Sequence, residues 1–188
     1  MPPSKGIFKK LDLLSDNPFR DLKAGDEVLI SGDIYTARDQ AHKRLVELMK
    51  KGKKLPIDLK GKIIYYCGPT RTPPGKAIGS CGPTTASRMD KFTEPLLKAG
   101  LRAVIGKGRR SESIRKAMLK YKAVYFIATG GAGAYLSKRV VSSEVVCFKE
   151  LGPEAVYKLY VDEFPLIVGI DSKGRDVFAN RRKNNDKV

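Results

Sequence analysis

Apolar residues recur along this chain in two alternating rhythms. DEVLISG (26–32) and KIIYYCG (62–68) are short apolar runs, the pattern of buried strands. Between them Ala37, Ala41, Leu45, Leu48 and Met49 repeat at helical spacing, so TARDQAHKRLVELMKKG (36–52) predicts an amphipathic helix. Thr36 is its expected N-cap, with Asp39 three residues on as a variant of the capping box, and Gly52 ends it. A Pro/Gly-rich loop (69–83) leads to a second helix, TTASRMDKFTEPLLKAG (84–100), closed by Gly100. RAVIGKG (102–108) reads as a strand entering a glycine turn. SESIRKAMLKY (111–121) reads as a third helix with Ser111 as N-cap. AVYFIATGG (123–131) is the next strand and GAYLSKRV (133–140) a short helix. EVVCFKE (144–150) and PLIVGIDSKGRDVF (165–178) supply further strands, the last with a turn at DSKG (171–174).

Strands that alternate with helices predict an α/β domain with a parallel or mixed central sheet flanked by helices. The expected limits are 26–178. Residues 1–25 are polar and broken by Pro and Gly, the character of an extended arm, and the basic tail 179–188 is expected to be disordered. In such sheets ligands sit beyond the carboxyl ends of strands, where helices begin. Three turns there carry unusual polar content: SGDIYTARDQAH (31–42), GSCGPTTASRMD (79–90) and IGKGRRS (105–111).

Composition narrows the picture. The 188 residues are enough for one domain with a sizeable core. No stretch approaches the roughly 20 apolar residues of a membrane span, and MPPSKGIFKK has no apolar signal core, so the expected location is the cytoplasm. Cys67, Cys81 and Cys147 are odd in number and widely spaced, unlike a disulfide framework or a CxxC motif. Cys67 and Cys147 lie in apolar runs and read as buried packing residues. The formal net charge of +17 raises nucleic-acid binding. Yet the cations are spread along the chain, with short clusters at 50–54 and 181–183, and no zinc-finger, RNP or basic-heptad pattern appears. An anionic small substrate or an acidic partner subunit accounts for the excess as well.

GPTT is a glycine-proline turn expected to open a helix, where free N–H groups and the positive helix end favour a carboxylate. Thr84 and Thr85 add hydroxyls, and Arg88, four residues after Thr84, shares that helix face. The same residues also describe a capping Thr and a solvated Arg. Lys107 stands between two glycines at a strand end, but this is no Walker A loop, because Gly108 occupies the Ser/Thr position. GGAG (130–133) lacks the GxGxxG spacing and reads as a permissive turn. His42, the single histidine, shares a helix face with Arg38.

YTARDQAHKR (35–44), GPTTASRMD (82–90), IGKG (105–108) and EFPLIVGIDSKG (163–174) resemble the C-terminal catalytic half of class I fumarases and the separate β subunits of fumarase and L-tartrate dehydratase. The resemblance covers roughly residues 20–180. It implies a swivelling β/β/α domain that docks on a larger α subunit. It implies a [4Fe–4S] cluster held by three cysteines of that α subunit, with one iron open as a Lewis acid, and no metal ligand in this chain. Cys81 stands where the family often has a small residue such as Ala. By resemblance Arg38, Arg88 and Lys107 hold the dicarboxylate and the charge that develops on it. Thr84 is the candidate base, with His42 as a competing acid/base candidate. Thr85 joins the substrate-binding residues, and Asp39 and Asp90 support them. The implied activity is reversible hydration of fumarate to L-malate. The alternatives are an L-tartrate dehydratase β subunit and, in a different class, a non-catalytic anion- or nucleic-acid-binding domain.

Overall fold

The computed structural model describes residues 8–15 and 18–179. The expectations for the arm and the tail fall in part on residues 1–7, 16–17 and 180–188, which lie outside the described residues. The strands are β1 (Lys9–Asp12), β2 (Glu27–Thr36), β3 (Ile63–Tyr65), β4 (Ala103–Gly106), β5 (Val124–Ile127), β6 (Val140–Cys147) and β7 (Val156–Ile170). The helices are α1 (Asp39–Lys50), α2 (Asp90–Lys98), α3 (Glu112–Tyr121) and α4 (Gly133–Ser137).

These elements form a mixed sheet in the order β1-β2-β3-β4-β5-β7-β6, with helices packed against it, as the alternation predicts. Neighbours from β1 to β5 run parallel, and β7 runs antiparallel to β2, β5 and β6. Because β7 pairs with both β5 and β2, the strands β2-β3-β4-β5-β7 close on themselves. One apolar cluster fills the inside: Val28, Ile30 and Ile34 of β2, Tyr65, Ile105, Phe126, and Leu159, Val161 and Phe164 of β7. Phe19 and Leu22 from the arm join it, and Phe19 meets Phe126 edge-on at 5.6 Å. The alternate residues Ile64, Tyr66, Val104 and Tyr125 face outward against Ala41 and Leu45 of α1, Leu96 and Leu97 of α2, and Ile114 and Met118 of α3. Burial on both faces is why β3, β4 and β5 read as unbroken apolar runs rather than alternating ones.

Several boundaries differ from the sequence pattern. β2 does not stop at Gly32 but continues to Thr36 through a bulge, where the pairing to β7 shifts between Ile30 and Gly32. Gly32 takes φ 131°, and a Cβ there would lie 2.9 Å from that of Leu13. Thr36 is therefore the last residue of a strand, fully buried, and its Oγ1 accepts from the Tyr157 N–H at 3.1 Å. It is not a helix cap; Arg38 holds that position without a side-chain cap bond. Thr84 and Thr85 precede the second helix instead of opening it, and a 3-10 turn (Ala86–Met89) leads into α2. Ser111 caps α3 as expected, accepting from the Ile114 N–H. The segment 156–164 is a strand although its charges hide the pattern. Val156, Leu159 and Val161 are buried while Lys158, Asp162 and Glu163 are not.

Candidate active site at the carboxyl ends of the parallel strands

Four parallel strands deliver the site from one end of the closed sheet. Arg38 follows β2, Gly68 follows β3, Lys107 follows β4 and Gly130 follows β5. The GPTT segment is threaded between two of these ends as extended backbone. The Thr84 N–H donates to the Tyr66 carbonyl at 2.7 Å, the Lys107 N–H to the Thr84 carbonyl at 3.1 Å, and the Ala86 N–H to the Lys107 carbonyl at 2.9 Å. Thr85 and Lys107 thus form a parallel bridge. This threading needs Gly106, where a Cβ would lie 2.9 Å from the Tyr66 ring and 3.0 Å from the Ala86 Cβ. Thr84 is half-buried and Thr85 exposed, and neither belongs to a helix. The Lys107 side chain passes Gly130, where a Cβ would lie 3.5 Å from Cδ and 3.9 Å from Nζ. Among the described residues no carboxylate pairs with Lys107.

Asp39 draws the two arginines together. Arg88 Nε and Nη2 donate to Asp39 Oδ1 and Oδ2 at 3.2 and 2.8 Å, a two-pronged fork. Arg38 Nε reaches Asp39 Oδ2 at 3.4 Å and Glu154 Oε1 at 3.4 Å. The Arg38 guanidinium lies over Gly68, where a Cβ would stand 3.0 Å from Cδ and 3.2 Å from Nη1. Arg88 keeps half of its side chain in solvent (50%), whereas Arg38 and Asp39 keep about a quarter (26% and 27%). Both arginines retain Nη donors not engaged by these carboxylates, and these are what a ligand carboxylate would meet.

Asp90 and His42 lie underneath rather than at the surface of this cluster. Asp90 Oδ1 accepts from Arg110 Nε at 2.7 Å, and Oδ2 accepts from the Ser111 N–H at 2.9 Å. The Arg110 side chain has no exposed surface. It stacks between Tyr66 and Tyr125 and donates to Thr93 Oγ1 at 2.8 Å. His42 is fully buried against Tyr66 and Phe92. Its Nδ1 stands 2.9 Å from the Arg38 carbonyl, an acceptor, so Nδ1 carries the proton and Nε2 is the bare nitrogen. Nε2 has no partner among the described residues. Burial, reinforced by the Arg110 charge, pushes its pKa down to about 4.

The sequence pattern of the family described as Fumarase C-terminus matches residues 8–181. The chain belongs to the fumarase C-terminal family. Relatives carry the same pattern in two sizes. A putative L(+)-tartrate dehydratase subunit beta from Methanocaldococcus jannaschii is 40% identical over 176 residues, 90% of each chain. The anaerobic class I fumarate hydratase of Escherichia coli is 40% identical over 93% of this chain but 33% of its own length. Fumarate hydratase 2 of Leishmania major is 40% identical over 82% of this chain and 28% of its own. The chain thus spans about a third of the fumarate hydratases it matches and nearly all of the tartrate dehydratase subunit.

The three thiols of this family member lie in the packed layers of the fold. Cys67 and Cys81 are wholly buried inside the closed sheet, and Cys147 packs in the outer layer. A metal takes the thiolate. Hydrogen bonding to Cys81 and burial push the Cys67 thiol up, the same hydrogen bond pulls the Cys81 thiol down, and burial pushes Cys147 up to about 11. Among the described residues no three His, Cys, Asp or Glu side chains converge as a metal site. Three residues of the cluster and its support escaped the sequence reading: Glu154, Arg110 and Gly68. Glu154 and Arg38 are far apart in the chain, Arg110 looks like any member of a basic pair, and Gly68 like the end of a strand. None carries a local signal.

Proposed function

We propose that this chain is the β subunit of a class I fumarate hydratase, a hydro-lyase that interconverts fumarate and L-malate. The observation that carries the reading is the Arg38–Asp39–Arg88 cluster beside Lys107 and Thr84, at one end of a domain of the fumarase C-terminal family. Three cations suit a substrate with two carboxylates, and a resident carboxylate already shows how Arg88 grips such a group. Arg38, Arg88 and Lys107 bind and orient the dianion and stabilise the charge that grows on it when a proton leaves the adjacent carbon. Thr84 Oγ1 moves that proton. Its hydroxyl is a weak base by itself, and the neighbouring cations favour its ionised form. Thr85 lines the same bridge, Asp39 keeps Arg38 and Arg88 in place, and Asp90 holds the buried Arg110 beneath them. The [4Fe–4S] cluster implied by the resemblance is assigned to an α subunit. Three free thiols suit the reducing cytoplasm.

L(+)-tartrate dehydration is the second reading, supported by the 40% identity to the Methanocaldococcus jannaschii subunit over 90% of each chain. The test is anaerobic assay of the complete two-subunit enzyme with fumarate, L-malate and L-tartrate. Thr84→Ala is expected to lower kcat by about 10²-fold or more with substrate affinity largely kept. The melting temperature should hold, since the Thr84 side chain caps no helix. An unchanged kcat would remove Thr84 from the proton transfer. Salt-sensitive RNA or DNA binding without any hydratase activity would overturn the enzyme reading.

A further inference from the structure

Glu154 lies at the end of the segment 149–154, two short 3-10 turns kinked at Gly152, which joins β6 to β7. This segment grips the start of α1 at several points. Glu150 pairs with Arg44, and Arg44 stacks on Phe148 at 5.4 Å. Glu154 does more than fill space. Its Oε2 accepts from the Gln40 N–H at 2.8 Å, supplying the cap that the helix lacks from its own N-cap residue. Its Oε1 meets Arg38 Nε at 3.4 Å. One carboxylate therefore fixes both the backbone that carries Arg38 and the side chain itself. Glu154 contacts Arg38 at Nε and leaves its Nη groups for another anion.

We infer that Glu154 is a positioning residue for the substrate-binding arginine Arg38, and through Asp39 for Arg88; the inference rests on the function proposed above. Two cations held this close repel each other, and Glu154 and Asp39 together offset that repulsion. Close approach to Gly68 restricts Arg38 on its other side, since a Cβ there would lie 3.0 Å from Arg38 Cδ and 3.2 Å from its Nη1. Arg38 is thus oriented before substrate arrives, which lowers the cost of binding.

The sign of one kinetic change decides the matter. Glu154→Gln keeps an oxygen for the Gln40 N–H but removes the charge. A more cationic site by itself tightens binding of a dianion, so a bystander carboxylate predicts an unchanged or lower KM. A positioning role predicts the reverse: KM for the dicarboxylate rises about tenfold while kcat changes much less. Glu154→Ala should lower the melting temperature as well, because it also removes the cap, whereas Glu154→Gln should not. In the two-subunit enzyme, Arg38→Lys combined with Glu154→Gln should be no worse than Arg38→Lys alone; additive losses would overturn the link through Arg38. A second measurement does not depend on activity. In nitrogen-15 NMR of this chain, the Arg38 Nε–H should exchange faster with solvent in Glu154→Gln than in the wild type. Equal exchange overturns the inference even if the hydratase reading stands. Absence of any hydratase or dehydratase turnover in the wild type, with faster exchange in Glu154→Gln, overturns the function and leaves the clamp in place.

Discussion

Protonating His42 sets a second cation near Arg110 in a layer closed to solvent. The folded-state pKa is about 4, against an ordinary value of 6.5. Above 6.5 the ring is neutral in both folded and unfolded chains and contributes nothing to the pH dependence. Between 6.5 and 4 the unfolded chain binds the proton and the folded one resists it, so stability falls as pH falls through that window. The whole shift corresponds to about 3 kcal/mol. His42→Gln removes the titration. Melting temperatures at neutral pH and near pH 4.5 should drop further for the wild type than for His42→Gln; equal drops would mean another group sets the acid limit. The same burial bears on chemistry. A ring that gives Nδ1–H to the Arg38 carbonyl and turns Nε2 into the apolar layer orients the peptide that carries Arg38.

The junction between α2 and α3 is tied by one ion pair, the fully buried Arg110 with the partly buried Asp90. Removing one partner of such a pair leaves a charge without compensation. Asp90→Asn, measured by urea unfolding, should cost about 3–5 kcal/mol, and adding Arg110→Met should recover much of it. A loss below about 1 kcal/mol in Asp90→Asn would show that Thr93, Tyr66 and Tyr125 suffice to hold the guanidinium. At this scale the sequence was legible where a period repeats. α1, α3 and the parallel strands follow from apolar spacing, and the strand-end rule leads to the three turns that carry Arg38, Thr84 and Lys107, whose roles come from the family resemblance. It failed where a residue's role depends on a distant segment. Gly32 looks like the end of a strand but forms a bulge opposite β7, and Thr36 looks like a cap but bonds to Tyr157. The threonines of GPTT look like the first turn of a helix. They are instead pulled straight by backbone bonds to Tyr66 and Lys107, which no local propensity encodes.

The whole chain carries a formal charge of +17, far more than the three cations proposed to bind substrate require. An acidic partner subunit would use the rest to speed docking and fix orientation. The dissociation constant of the two-subunit complex should then rise at least about tenfold between about 50 and about 500 mM salt. A salt-independent constant would assign the charge to another purpose. Closure of the sheet has its own consequence for how the chain is made. Glu27 pairs with Ile167 and Tyr35 with Lys158, so the edge of β2 opposite β1 and β3 is covered only after β3 to β6 and then β7 have been made. Until then the nascent chain displays a long open strand edge lined with Val28, Ile30 and Ile34, the kind of template on which chains stick to one another. Pairings this remote form late and slowly, and the most vulnerable moment of this protein's life falls between the synthesis of β2 and the arrival of β7.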